Sequence, residues 1–178
     1  MDDASLVRAA VLGDDAAFAA IVDRHGPSMF RFARRMLADD DDAGEAVQEA
    51  FISAWKNIES FQGRSTLRTW LFSLTHRRAA DIRRRRRPIP TDDEILAERT
   101  VDALADPSRA VLEHDLLVAL QTTLTALPWR QRAVWVLREI EELSYDEIAE
   151  ALSMGPDAVR GQLYRARRHV TDRMEAWR

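Results

Sequence analysis

The chain has 178 residues, enough for one medium domain or two small ones, and 46% of them are apolar, an ordinary share for a folded protein. It has no cysteine, which excludes disulfide scaffolds, thiolate zinc sites and thiol switching, and its four histidines fall in no metal-binding spacing. The formal net charge of −4 hides a segregated pattern: Asp39 to Glu49 holds six acids and no base, whereas Arg64 to Arg87 holds nine arginines against Asp81 alone.

Screening limits the reach of a charge to about 8–10 Å, so local surfaces rather than the average decide where a polyanion binds. An acidic mean is therefore compatible with basic, DNA-binding faces. No run approaches the roughly 20 apolar residues that span a bilayer. The N-terminus, Met1-Asp2-Asp3, is too acidic to begin a secretory signal. A cytoplasmic location without membrane insertion is expected.

Nearly every segment repeats with helical period, so the expected fold is all-α. Ala17, Phe18, Ile21 and Val22 form a first apolar face, and Gly26-Pro27 is expected to open a helix over 27–38. Ala46, Val47, Ala50, Phe51, Ala54, Trp55 and Ile58 share one side of a helix over 42–57, with Phe51 and Trp55 in the core. Leu67, Trp70, Leu71, Leu74 and Ile82 do so over 66–86, with Ser65 as N-cap. From Pro88 to Ser108 the texture changes to proline and clustered acids without aromatics, which reads as a solvated linker with room for a short helix at 94–104. Beyond it, Val111, Leu112, Leu116, Leu120, Leu124 and Leu127 make a stripe. Pro128 marks a boundary, and Val134, Val136, Leu137 and Ile140 continue in a new helix. The expected organisation is a helical domain over 1–87, a linker over 88–108 and a second helical domain over 109–178.

The clearest motif spans 144–168. Ser144 and Glu147 form a capping box that starts a short helix. Ile148, Ala149 and Leu152 face inward, and small Ala149 permits a close crossing. Ser153-Met154-Gly155 make a turn, and Pro156 suits the first turn of a second helix pinned by Val159, Leu163 and Ala166. Helix-turn-helix turns often carry glycine where Ser153 stands, and Gly155 is expected to relieve that strain. Arg160, Gln162, Tyr164, Arg165 and Arg167 are left to project outward, as a recognition helix requires in the major groove. A helical hairpin with a solvated basic face would share the arginines but not the whole register of cap, small residue, turn and pins.

With these residues in view, the chain resembles the sigma-70 family, in its extracytoplasmic-function (ECF) class of RNA polymerase sigma factors. Leu127-Pro128, Gln131-Arg132, Leu137-Arg-Glu, Leu143-Ser-Tyr-Asp-Glu-Ile-Ala and Leu163-Tyr-Arg-Ala-Arg167 are similar to region 4 of that family. Ala17-Phe18, Glu45-Ala-Val-Gln48-Glu49-Ala-Phe51 with Trp55, Phe61-x-Gly63 and Thr69-Trp70-Leu71 are similar to region 2. The likeness covers nearly the whole chain in order and spacing.

The resemblance implies that Asp42, Glu45, Gln48 and Glu49 dock on the clamp helices of the largest subunit of core RNA polymerase, with a further contact to its flap. It implies that Phe61, Gln62, Arg64 and Ser65 line a loop that captures an extruded base of the minus-ten element. Arg68, Arg77 and Arg78 then hold that single strand; Arg77 stands where many relatives have asparagine. Basic grooves with surfaces for unstacked bases suit single-stranded DNA. Trp70 fits either a stacking platform or the core. The resemblance places Arg160, Gly161, Tyr164 and Arg165 in the groove of the duplex minus-35 element, joined by Gln162, with Arg167 and Arg168 nearer phosphate. Arg83–Arg87 fit either upstream phosphates or a solvated helix end. An anti-sigma factor wedged between the two domains is the usual partner of such proteins. No cofactor or metal is expected, and catalysis stays with the polymerase. The rival readings are a stand-alone helix-turn-helix regulator, an enzyme and a helical adaptor. The first leaves the acidic helix and the aromatic loop unexplained, the second finds no phosphate-binding glycine loop, nucleophile elbow or metal set, and the third leaves the basic faces without a role.

Overall fold

The structure, a computed structural model, describes residues 1–86 and 109–175, with backbone alone at 109–113. The expected linker, its short helix and Arg87 lie outside the described residues. Every regular element among the described residues is helical: α1 Asp3–Val11, α2 Asp15–Leu37, α3 Asp40–Asn57, α4 Leu67–Arg86, α5 Arg109–Ala126, α6 Trp129–Trp135, α7 Tyr145–Ala151 and α8 Pro156–Met174. A single 3₁₀ turn, Ile58–Ser60, follows α3, and a π-helical turn, Val136–Ile140, follows α6.

Helices α1 to α4 form the first unit. Carboxylates start its first three helices: Asp2 accepts from the Ser5 amide, Asp14 from Ala16 and Ala17, and Asp39 from Asp42. The break expected at Pro27 does not occur. Residues 15–37 are one helix with Pro27 inside it, and Ala17, Ile21, His25, Met29, Phe32 and Met36 form one continuous buried stripe. An internal proline costs about 3 kcal/mol. Burying Ile21, Met29 and Phe32 at about 1.5–3 kcal/mol each offsets it. His25 hid this continuity in the sequence because it interrupts the apolar pattern; here it is buried, with Nε2 3.1 Å from the Asp3 carboxylate. Phe32 meets Phe72 of α4 edge to face at 5.5 Å, in the fully buried centre of the unit. Phe51 is buried as expected, but Trp55 is 40% exposed, laid edge-on against Phe18 at 4.8 Å. The cap of α4 is Thr66 rather than Ser65: its Oγ1 accepts from the Thr69 amide at 3.1 Å.

Helices α5 to α8 form the second unit. Leu124 and Leu127 are buried, whereas Leu116 at the other end of the stripe is 39% exposed. The π-helical turn carries the chain from α6 to a residue in left-handed conformation, Glu142 at φ 58°, just before the capping box. That box forms reciprocally: the Ser144 amide donates to Glu147 Oε2 at 2.8 Å, and the Glu147 amide to Ser144 Oγ at 3.2 Å. Val159, Leu163 and Ala166 of α8 are buried and α8 packs on α7, so the two form the expected helix-turn-helix.

The two units pack on each other, α4 against α7 and α2 against α5 and α6. Their interface carries hydrogen bonds. Trp129 donates from Nε1 to His76 Nε2 at 3.0 Å, Arg132 donates to the Met36 carbonyl at 2.6 Å, and Arg35 donates to Gln121 Oε1 at 3.1 Å.

Candidate nucleic-acid interface

The recognition helix α8 begins at Pro156 with Gly155 as N-cap, so the missing proline N–H falls where no helical bond would form. Its buried residues leave Arg160, Tyr164, Arg165, Arg167 and Arg168 exposed on the other side, with Gly161 and Gln162 half-buried. Tyr164 is 68% exposed. Arg165 folds back along the helix: a Cβ added at Gly161 would lie 3.7 Å from its Nη1. Arg160 pairs with Asp157 at 2.6 Å, and Arg167 pairs with Glu139 at 2.7 Å, a contact that holds the Arg167 guanidinium even more firmly protonated than usual. The turn is strained at an unexpected place. Ser153 takes the left-handed conformation at φ 53°, while Gly155 is extended at φ −76°. Gly155 therefore does not relieve the turn; Ser153 bears the strain itself, because the chain must reverse at that position.

In the first unit, Phe61 to Thr66 form the loop between the 3₁₀ turn and α4, with Gly63 at φ 65°. Phe61 and Trp70 form a tilted pair, 5.1 Å between centroids and 39° between ring planes, both half-buried. Gln62 and Arg64 are exposed and Ser65 is half-buried. Arg77 is exposed two turns along α4 from Trp70 and on the same face, since seven residues bring a helix back by about 700°. Arg78 leans on Ser53 at 3.4 Å and on Asp81 at 3.7 Å. Arg68 does not join this face. Two residues before Trp70, it lies about 160° around the helix, and it donates to Glu141 of the second unit at 2.9 Å.

The acidic helix α3 divides as well. Gln48 and Glu49 are exposed. Glu45 is exposed but bound to Arg85 at 2.6 Å. Asp42 departs from the expected docking surface: it is only 4% exposed and its Oδ1 accepts from Arg86 at 2.5 Å. Lost water raises its carboxyl above the ordinary range against the pull of Arg86. The described part of the arginine run, residues 83–86, is engaged with the protein itself. Arg83 lies 4.9 Å from the Trp129 ring centre, Arg84 pairs with Asp81, and Arg85 and Arg86 pair with α3. Sequence reasoning missed the residues that join the units, Arg31, Glu141, His76 and Trp129, since no local pattern marks a partner 53 or 110 positions away.

Among the described residues no cluster of His, Asp or Glu is placed to hold a metal ion, and no helix is long and apolar enough to cross a membrane. A helix-turn-helix with an exposed cationic recognition helix, joined to a helical unit with an aromatic loop and an arginine-rich helix, defines a two-domain DNA-binding protein of the transcription machinery.

Comparison with known proteins makes this specific. Residues 21–89 match the family model for sigma-70 region 2, and residues 117–170 match that for sigma-70 region 4. The chain is 30% identical to the ECF RNA polymerase sigma-E factor of Haemophilus influenzae, across 98% of this chain and 96% of that one. It is also 30% identical to the RNA polymerase sigma-H factor of Pseudomonas aeruginosa, across 94% and 91%. Among solved structures it is similar to CnrH in complex with the cytosolic domain of CnrY, with TM-score 0.74, 27% identity and coverage of 98% and 97%. The fold alone is shared with the sigma factor RpoE of Bartonella quintana, seen in complex with the anti-sigma factor NepR, at TM-score 0.68, 21% identity and coverage of 90% and 98%. The chain belongs to the sigma-70 family, in its ECF class. It is a sigma factor, which directs RNA polymerase to promoters.

Proposed function

We propose that promoter selection is divided among three surfaces of this chain. Gln48, Glu49 and the outer side of Glu45 on α3 seat on the clamp helices of the largest polymerase subunit; Asp42 supports them from inside rather than touching the partner. The loop residues Phe61, Gln62, Arg64 and Ser65, with Arg77 and Arg78, take the minus-ten element as a single strand, and Phe61 and Trp70 separate to receive an unstacked base. Extruding that base costs a few kcal/mol, which polymerase binding offsets. Arg160, Tyr164 and Arg165 read the minus-35 duplex over Gly161 and Gln162, while Arg167 and Arg168 hold phosphates. The protein works in the cytoplasm, does no bond chemistry, and is held in check by an anti-sigma factor, as its similarity to CnrH bound to CnrY suggests.

The observation that carries this reading is the separation of charge between exposed faces, Glu45 and Glu49 on α3 against Arg160, Arg165 and Arg168 on α8. Size-exclusion chromatography with core RNA polymerase tests it: the chain is expected to co-elute with the enzyme. Elution apart from the enzyme, with duplex DNA bound as a dimer, would instead identify a stand-alone regulator.

A further inference from the structure

The outward side of the recognition helix α8 begins with a carboxylate, where a surface that meets a polyanion ordinarily offers donors. Asp157 stands two residues before buried Val159, about 160° round the helix from it, and so lies near the middle of the exposed side. Gly161 and Tyr164, four and seven residues further on, return to nearly the same line. The Asp157 side chain is 98% exposed, and its Oδ1 accepts from Arg160 Nη1 at 2.6 Å. Arg160 also meets the Tyr145 ring of α7, whose centre lies 6.0 Å from the guanidinium carbon. Asp157 does not cap the helix: the N-cap is Gly155, which has no side chain to do so.

An acid in the first turn suits the helix dipole, but an exposed pair of unlike charges adds little stability. What the pair presents to the groove matters more. Oδ1 is bound to Arg160, and the almost wholly exposed side chain leaves Oδ2 open as an acceptor. Arg160 uses Nη1 on Asp157 and keeps further N–H donors. An acceptor and a donor fork therefore lie side by side. In the major groove a C·G pair offers their complement, since the cytosine N4 amino group donates while guanine O6 and N7 accept. Guanine or thymine in place of that cytosine would turn an acceptor towards the carboxylate. Adenine would supply an amino group, but its thymine partner has one acceptor, O4, where guanine has two. Over phosphates the carboxylate would only repel.

We propose that Asp157 is a specificity-determining residue of α8, a role that rests on the proposed reading of the minus-35 duplex by this helix. Asp157 and Arg160 together read one C·G pair: Asp157 accepts from cytosine N4, and Arg160 donates to guanine O6 and N7. The same carboxylate weakens the attraction of Arg160, Arg165 and Arg168 for unrelated duplex. It thus favours the correct site and disfavours the others, and specificity is the difference between the two.

The test uses the full chain. Holoenzyme assembled with core RNA polymerase transcribes genomic fragments, the start sites are sequenced, and one promoter so found is randomised over its distal element. The parent should require C·G at one position. Asp157→Ala should lose that preference by about 5–150-fold, the worth of one good base contact, and leave the other positions unchanged. Arg160→Ala should relax the same position, and the double variant should lose less than the product of the two single losses. Asp157→Asn, whose amide donates as well as accepts, should admit guanine or thymine where cytosine was required. Binding of the full chain to a labelled duplex without the element should tighten in Asp157→Ala. The assignment falls if neither Asp157 variant relaxes any position, or if Asp157→Ala relaxes one that Arg160→Ala leaves intact. It also falls if Asp157→Ala weakens promoter use and binding to the unrelated duplex alike, as loss of a purely structural residue would. Absence of discrete start sites with the parent would strike the sigma-factor reading, whereas discrete start sites with any of those negative results strike the role of Asp157 alone.

Discussion

Acidification should loosen the contact between the two units through His76. Its Nε2 accepts the Trp129 indole proton at 3.0 Å, so the ring is neutral and carries its own proton on Nδ1. A proton on Nε2 would set two donors face to face. Burial, followed by Arg77 and Arg130, pushes the pKa from 6.5 down to about 4, and Arg83 on the far partner of the bond adds positive charge nearby. Because the folded value lies below the unfolded one, the unfolded chain takes up the proton first. The contribution of His76 is complete above pH 6.5 and is lost as pH falls from 6.5 towards 4. At about 1.4 kcal/mol per pH unit, moving from pH 7 to pH 5 removes about 2 kcal/mol. His76→Gln keeps an acceptor for Trp129 but does not titrate. Urea unfolding at pH 7 and pH 5 should show the parent losing about 2 kcal/mol more than the variant over this interval. An equal loss in both proteins would refute the assignment of this acid sensitivity to His76.

Three further outcomes follow from the geometry. Ser153→Gly removes a side chain from a left-handed residue and should stabilise the chain by about 0.5–1 kcal/mol; a fall in thermal midpoint would show that the Ser153 side chain supplies something the turn needs. Arg165→Ala should weaken minus-35-dependent initiation by about 1–3 kcal/mol, the worth of a bidentate base contact, and unchanged output from a duplex promoter would remove Arg165 from the reading set. Glu49→Arg reverses an exposed charge on α3 and should lower the affinity for core polymerase with little change in unfolding free energy; equal pull-down of polymerase by variant and parent would count against docking through α3.

Local patterns made the helix-turn-helix legible in advance. The Ser144 and Glu147 box and the pins Val159, Leu163 and Ala166 are short-range features, and short-range physics fixes them. The exposed arginines of α8 followed from the same register. Other features depend on distant partners. The continuity of α2 through Pro27 requires the core to outweigh a local breaker. Trp55 is a large apolar residue whose position predicts burial, yet the nearby core leaves one side of it uncovered. Asp42 looks like any member of an acidic run until Arg86, 44 positions on, reaches it. The sequence points to Gly155 as the residue that relieves the turn, because composition marks a flexible residue but not which residue turns, and Ser153 turns instead. Arg31 and Glu141 illustrate the limit most clearly. Each reads as a solvated surface charge, and only the packing of one unit on the other makes them partners.

Run-off transcription with purified core RNA polymerase and genomic DNA, with the start sites sequenced, tests the central claim most directly. The account predicts initiation from a discrete set of sites sharing two upstream elements, with Arg165→Ala depressing use of the distal one and Glu49→Arg depressing all of them. Start sites no different from those of core polymerase alone would contradict it.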